Sequence, residues 1–295
     1  MSGLVTLRAP AKLNLCLFVG PKRDDGLHEI GSIFEPLELS DELRVSDGEG
    51  PSDEVVCPEI PGPNLVEKAL AFLREQGWES PPLRVEIAKD VPIAAGLGGG
   101  SADAAAVLRL ARGELDGIRA LAASVGADVP SQIQPRPCLV SGAGEVVEPI
   151  PPPADHGVVL IPQTAGLTTG EVYAEADRLG ANRVEAELEV IRRKLRDAVA
   201  DGDSPLTYPE HLVNDLQPAA ISLRPEIEGP LAALREAGAA HAMVTGSGPT
   251  AFGLFGDRAA AERAVAGLAE RFPTALATGP LSPATDVGPV SGEPS

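Results

Sequence analysis

Residues 92–108 read PIAAGLGGGSADAAAVL, and the rest of the chain is organised around them. Gly96, Gly98, Gly99 and Gly100 are followed at once by Ser101 and an alanine-rich run. Glycine admits φ > 0 and lets backbone approach a ligand closely. A helix beginning near Ser101, with Ser101 as its N-cap, presents unpaired N–H groups and the positive end of its dipole. Loop and helix end together make an anion site, most naturally for phosphate. A flexible glycine linker is the competing reading, but linkers are seldom followed directly by an N-cap and an apolar helix. No lysine follows the glycines as a Walker A loop requires. Ser101 stands where a dinucleotide fingerprint needs its third glycine. The stretch therefore predicts a phosphate site without identifying the nucleotide.

The composition narrows the class. A chain of 295 residues suffices for one large or two ordinary domains. With 43% hydrophobic residues and 3% aromatic ones, its cores must be aliphatic. The net charge of −19 argues against non-specific nucleic-acid binding and a polybasic membrane anchor. A few local lysines and backbone amides can still hold an anion. Cys16, Cys57 and Cys138 are odd in number and widely spaced, which fits a reducing cytoplasm better than a disulfide scaffold or zinc site. His28, His156, His211 and His241 form no ligand-spaced pair. Arg8, Lys12 and Asn14 interrupt the first apolar stretch, unlike a signal peptide, and no apolar run reaches the roughly 18 residues of a membrane span.

Around the glycine loop the chain alternates strands and helices. Leu4–Arg8 and Leu13–Val19 read as strands separated by a bend at Pro10. Lys12 falls where a half-buried side chain is expected, and taken alone it suits a lysine snorkelling from an edge strand. Asp25-Gly26 marks a turn, His28 opens the strand 29–39, and 43–46 and 54–57 are short strands. Asn64, after Pro63, caps a helix over 65–76, and 83–88 is a strand leading through Lys89 to the loop. Behind the loop lie a helix over 102–112, with Asp103 in its first turn, and a second over 114–125. Asp128, between that helix and Pro130, taken alone suits a turn aspartate bonding its own backbone. Residues 138–140 and 145–150 form a hairpin, and the prolines of 150–157 make a stiff junction. Beyond it come a strand over 158–161, a loop over 166–170 and helices over 171–179 and 185–199. The latter has a solvated face with pairs such as Glu189 to Arg193. Further helices start near Asn214 and cover 227–237 and 257–271, and strands at 241–244 and 251–255 flank Thr245-Gly246-Ser247-Gly248. That turn is either a plain hairpin or a second anion cradle. The Pro-, Gly- and Ser-rich tail 280–295 is expected to be disordered.

Taken together, these segments resemble the galactokinase, homoserine kinase, mevalonate kinase and phosphomevalonate kinase (GHMP) superfamily. PIAAGLGGGSADAA resembles its phosphate-binding motif, and APAKLNL and MVTGSGPTAFGLF resemble its other two, in order, over about residues 5–255. More narrowly, APAKLNLCLFVGPKRDDGLHEIGSIFEPLELSD looks like the amino-terminal signature of the 4-diphosphocytidyl-2-C-methyl-D-erythritol kinases, with GADVPSQ and VNDLQP as further matches. The resemblance implies an α+β fold of two domains. One is an amino-terminal ribosomal-protein-S5-domain-2-like domain over residues 1–153, and the other a carboxy-terminal ferredoxin-like sandwich over 154–279. It also implies ATP as phosphoryl donor, Mg2+, and phosphorylation of the 2-hydroxyl of a cytidyl diphosphate substrate in the non-mevalonate route to isoprenoids. The enzyme would be a cytoplasmic monomer or homodimer. Mevalonate-pathway or homoserine kinases, or a non-catalytic nucleotide-binding module, are the alternatives.

Residue roles follow from the same resemblance. Asp128 matches the catalytic carboxylate and Lys12 its partner lysine, each favouring the other's charged form. Pro92, Ile93, Ala94, Ala95, Gly96, Leu97, Gly98, Gly99, Gly100, Ser101 and Ala102 form the ATP loop, with Asn64 and Lys89 on the adenine side. Ser101 is also a candidate magnesium ligand. Asn14, His28 and Thr169 lie on the acceptor side, with His28 facing cytosine, and Gly246 and Ser247 close the phosphate region. Two positions depart from the family pattern. Leu27 replaces the aromatic residue expected before the histidine, and SQIQPRPCLVSGAGE lacks the aromatic that often follows its proline. Both bear on substrate affinity and leave the catalytic pair untouched.

Overall fold

The computed structural model describes residues 4–288 apart from 61, 63, 112–116, 119–121 and 164–165. Two long strands, β1 (Val5–Lys22) and β2 (His28–Asp47), form an antiparallel hairpin across the Asp25-Gly26 turn. The sequence predicts a break at Pro10 and another near Ser40, yet each strand is continuous. The ladder slips between Pro10 and Lys12 instead, because a bulge accommodates the missing proline N–H without ending the strand. The end of β2 pairs with β4 (Leu83–Ala88), which carries the short parallel β3 (Glu54–Val56). The start of β2 pairs with β5 (Cys138–Gly142), which turns into β6 (Val146–Pro149). The result is a six-stranded sheet of order β3-β4-β2-β5-β6, with β1 lying on β2.

Helix α1 (Leu65–Glu75) packs on α2 (Gly99–Leu108), and both cover this sheet, with Leu70, Leu73 and Val107 meeting Leu7, Leu43 and Val85. As expected, Asn64 caps α1, and Glu67 completes a capping box. A short helix, α3 (Val129–Gln132), follows. Half of the expected helix over 114–125 lies outside the described residues, as does Pro63.

The chain then builds a second, four-stranded sheet. In order come β7 (Gly157–Ile161), α4 (Thr169–Leu179), α5 (Glu185–Ala198), α6 (Gln217–Leu223), α7 (Glu228–Glu236), β8 (His241–Val244), β9 (Ala251–Phe255), α8 (Arg258–Leu268) and β10 (Leu276–Thr278). The strand order is β10-β7-β9-β8. The sequence does not reveal β10, which is three residues long and half-buried at an edge. A shared core joins the sheets: Leu13 and Leu15 of β1 cluster with Leu160 of β7, Phe252 of β9 and Leu195 of α5. Helix α5 keeps the expected solvated face, with Glu187, Glu189, Arg193 and Lys194 exposed, but part of its charge is engaged. Its Arg192 turns inward and donates to Ile30 O (2.8 Å) and Glu29 (2.7 Å), and Arg196 reaches Glu148 (2.8 Å). These two arginines tie the helix to the first sheet.

The expected disordered tail is also corrected in part. Residues 279–288 run back over the first sheet: Glu38 N–H donates to Gly279 O (3.0 Å), Leu281 N–H to Pro36 O (2.8 Å) and Arg8 N–H to Val287 O (3.1 Å). Composition alone misses this, because the pairing uses backbone groups that any residue carries.

Candidate active site

Beyond the Pro10 bulge, β1 turns Lys12 into the interior, where it is 4% exposed. Its backbone N–H donates to Leu97 O (2.9 Å), stitching the glycine loop to the strand. Its ammonium donates to Asn14 Oδ1 (2.6 Å) and Gly96 O (2.8 Å) and lies 3.7 Å from Asp128 Oδ2. This is a fixed, buried lysine, unlike the snorkelling one that the strand pattern allows. Burial pushes its pKa below the usual lysine value, while the Asp128 carboxylate opposes that shift. Asn14 has no freedom to turn away, since its amide nitrogen donates to Ser32 Oγ (3.0 Å) and its oxygen must then face Lys12. Asp128 precedes α3 in helical conformation and makes no cap bond with its side chain, which is one-third exposed towards the cleft.

The glycine loop differs in one respect from its sequence reading. Helix α2 starts at Gly99, and Gly98 holds the cap position at φ 69°. Ser101 therefore lies in the first turn and is not the N-cap. A left-handed Gly98 lets the helix start earlier, with Ala102 N–H donating to Gly98 O at 2.9 Å. Gly96 meets the second glycine turn backbone to backbone: a Cβ there would stand 2.7 Å from Thr245 O and 3.0 Å from Gly248 O. A Cβ on Gly246 would stand 3.1 Å from Asn14 Oδ1 and 3.4 Å from Lys12 Nζ. The two turns thus close on Lys12 from both sides.

Lys89 and Asp103 also depart from expectation. Lys89 borders the cleft, but its ammonium is engaged by Asp41 and by Asp103 Oδ2 (2.7 Å). Asp41 Oδ1 in turn accepts the N–H groups of Asp90 and Val91, both at 2.8 Å, at the start of the loop. Asp103 is buried under this network and has no part in the first turn of α2. Burial raises its pKa, with Lys89 opposing and Asp41 adding. Asn64 accepts from Val66 N–H (2.8 Å) and Glu67 N–H (3.2 Å) as a cap, and its neighbour Leu65 borders the cleft in its place. Ala102 is buried behind the loop.

One cleft of about 840 Å³ brings most of the expected residues together. Lys12, Asn14, Asp128, residues 92–101, Gly246 and Ser247 all line it. Thr169, expected in a loop, opens α4 and lies 3.3 Å from Ser247 Oγ through its hydroxyl. His28 lines the same cleft. Its Nε2 lies 2.8 Å from Asp177 Oδ1, and its ring is 5.0 Å from that of Tyr173, tilted by 31°. Tyr173 and Asp177 both come from α4, four residues apart and so on one helical face. The sequence does contain that spacing, but nothing in it ties α4 to His28.

Comparison with known proteins bears on the family of the chain. The GHMP kinases N terminal domain matches residues 64–133 and the GHMP kinases C terminal domain residues 206–274. A 4-diphosphocytidyl-2-C-methyl-D-erythritol kinase of Kineococcus radiotolerans is 38% identical over 88% of this chain and 84% of its own. The protein of the same name from an Anaeromyxobacter species is 40% identical over 89% and 86%. The chain belongs to the 4-diphosphocytidyl-2-C-methyl-D-erythritol kinase family. A crystal structure of a 4-(cytidine 5'-diphospho)-2C-methyl-D-erythritol kinase superposes with a TM-score of 0.75 at 32% identity, covering 94% of this chain and all of that one. The family is one of small-molecule kinases in the GHMP group, so the α+β fold and kinase class expected from the sequence both hold.

Against the family's pattern, the departure at Leu27 has a local counterpart. Leu27 is 51% exposed at the cleft rim, whereas Tyr173 offers an aromatic face beside His28. Among the described residues no group of three or more His, Cys, Asp or Glu side chains could cage a metal ion. Among them, too, no helix is long and apolar enough to cross a membrane.

Proposed function

We propose that the chain transfers the γ-phosphoryl group of ATP to the 2-hydroxyl of 4-diphosphocytidyl-2-C-methyl-D-erythritol, releasing ADP and the 2-phosphate. One observation carries this reading. The Lys12–Asp128 pair lies beside the glycine loop in the same cleft that His28 and Tyr173 line. Amides of residues 96–101, at the positive end of α2, cradle the β- and γ-phosphates. Asp128 accepts the hydroxyl proton as the hydroxyl oxygen bonds to the γ-phosphorus and the bond to the β-phosphate oxygen breaks. Lys12, pinned by Asn14 and Gly96, steadies Asp128 and offsets charge on the transferred group. Thr169 and Ser247 border the acceptor, and Tyr173 gives the cytosine a stacking face beside His28.

The donor set suits a magnesium ion that arrives on the nucleotide. Asp128 and Ser101 both border the cleft, and magnesium commonly uses one or two protein oxygens plus phosphates. When bound, the ion supplies charge neutralisation. Cys16 and Cys57 are free thiols, which favours the cytoplasm.

The test is ATP turnover measured in parallel with the cytidyl substrate, mevalonate and homoserine. Turnover is expected with the cytidyl substrate alone. Turnover only with mevalonate or homoserine would make the chain another GHMP kinase, and tight ATP binding without turnover would make it a binding module.

A further inference from the structure

The ring of His28 borders the cleft, and the side chain it contacts there decides which of its nitrogens carries hydrogen. Nε2 lies 2.8 Å from Asp177 Oδ1. The same oxygen accepts Asn182 Nδ2 at 2.6 Å, and Lys22 Nζ stands 3.9 Å from Oδ2. These cationic and donor neighbours, together with His28, hold Asp177 below the usual carboxylate pKa range although burial acts against it. An ionised carboxylate can only accept hydrogen bonds. The hydrogen of a neutral His28 therefore resides on Nε2, and Nδ1 is left as a bare acceptor. No hydrogen bond to Nδ1 forms among the described residues, and the ring itself borders the cleft. Tyr173, one turn before Asp177 on α4, lies against the same ring.

We propose that Asp177 is a positioning residue that fixes His28 in the Nε2–H form and so sets a preference for cytosine over uracil nucleotides. This deepens the proposed function and rests on its placing of the base at His28. Cytosine carries an exocyclic amine, a donor, where uracil carries a carbonyl oxygen, an acceptor. A bare Nδ1 pairs with the amine and repels the carbonyl. Sites built to hydrogen-bond one such group reject the analogue lacking it strongly, because buried polar atoms are otherwise left unmatched. Asp177 borders the cleft too, and its proposed effect on the base runs through the imidazole.

Two measurements test this without relying on turnover. Nitrogen-15 NMR of the labelled full-length protein near neutral pH should show an unprotonated Nδ1 and a protonated Nε2 for His28. Calorimetry should show CMP binding at least ten times more tightly than UMP. In Asp177→Ala the NMR signals should become a tautomer mixture and the CMP-to-UMP ratio should fall at least fivefold. Asp177→Glu should restore much of the ratio. A protonated Nδ1 in the unmodified protein overturns the proposal, as does an Asp177→Ala variant that weakens CMP and UMP equally. If CMP and UMP bind as expected but the cytidyl substrate is not phosphorylated, the proposed reaction fails while the role of Asp177 stands.

Discussion

Replacing Gly98 with alanine tests the whole arrangement around Lys12. Gly98 sits at φ 69°, where an added Cβ would lie 2.9 Å from Lys12 Cγ and 3.1 Å from Lys12 Cε. The left-handed backbone alone costs about 1–2 kcal/mol for a residue with a Cβ. In a protein of this size that lowers Tm by only a few degrees, at roughly 2–4 °C per kcal/mol. The contact is the larger perturbation. Ordinary carbon–carbon contacts lie near ~3.5–4.0 Å, so the lysine stem must move by roughly 0.6–1 Å. Its ammonium bonds of 2.6 and 2.8 Å would stretch to the edge of hydrogen-bonding distance, and Asp128 would lose its oriented partner. A displacement of about 1 Å at a reacting group is worth on the order of 100-fold in rate. Gly238→Ala is the control, since Gly238 has φ 91° and nothing within 4 Å of an added Cβ. Both variants should melt a few degrees below the parent in a thermal scan. In a coupled ADP-release assay only Gly98→Ala should lose kcat, by about 100-fold. Equal kcat in the two variants would refute the reasoning. A loss carried wholly by KM for ATP would assign Gly98 to the nucleotide and not to Lys12.

Three further outcomes are expected. Asp128→Asn should lower kcat by about 100- to 10,000-fold with ATP affinity little changed, measured by steady-state kinetics and calorimetry; near-normal kcat would assign the proton elsewhere. Tyr173→Ala should raise KM for the cytidyl substrate by about 5- to 150-fold, from the ~1–3 kcal/mol of a base–aromatic stack, and leave KM for ATP unmoved. The third concerns the buried His156–Glu35 pair, 3.0 Å apart. Burial works against the charged imidazole, but the hydrogen bond and charge of Glu35 outweigh it and raise the His156 pKa. Its stabilisation is therefore complete below the ordinary imidazole pKa of about 6.5 and is lost as pH rises through the raised folded value. Between pH 6 and pH 9 the parent should lose more Tm than the double variant Glu35→Gln/His156→Gln; parallel curves would remove the pair from the pH dependence.

How much of this protein is legible in its sequence depends on the range of the interactions involved. Local chemistry is readable. Alternation marks β4, Asn64 and Glu67 sign the start of α1, and four close glycines before an apolar run sign a phosphate loop. The Lys12 and Asp128 roles are visible only through their resemblance to known motifs, since alone each residue reads as an ordinary surface or turn side chain. Their joining is tertiary: a proline bulge turns Lys12 inward and three neighbours fix it there. Three other features are also decided by the fold. Lys89 is held by two carboxylates from separate elements, the tail pairs through backbone to β1 and β2, and α4 brings Tyr173 and Asp177 to His28 across 149 residues of sequence. Secondary structure and capping follow from bonds within a few residues, which composition and spacing encode. A buried charge network or a shared aromatic face exists only once packing has removed water and brought distant segments into contact.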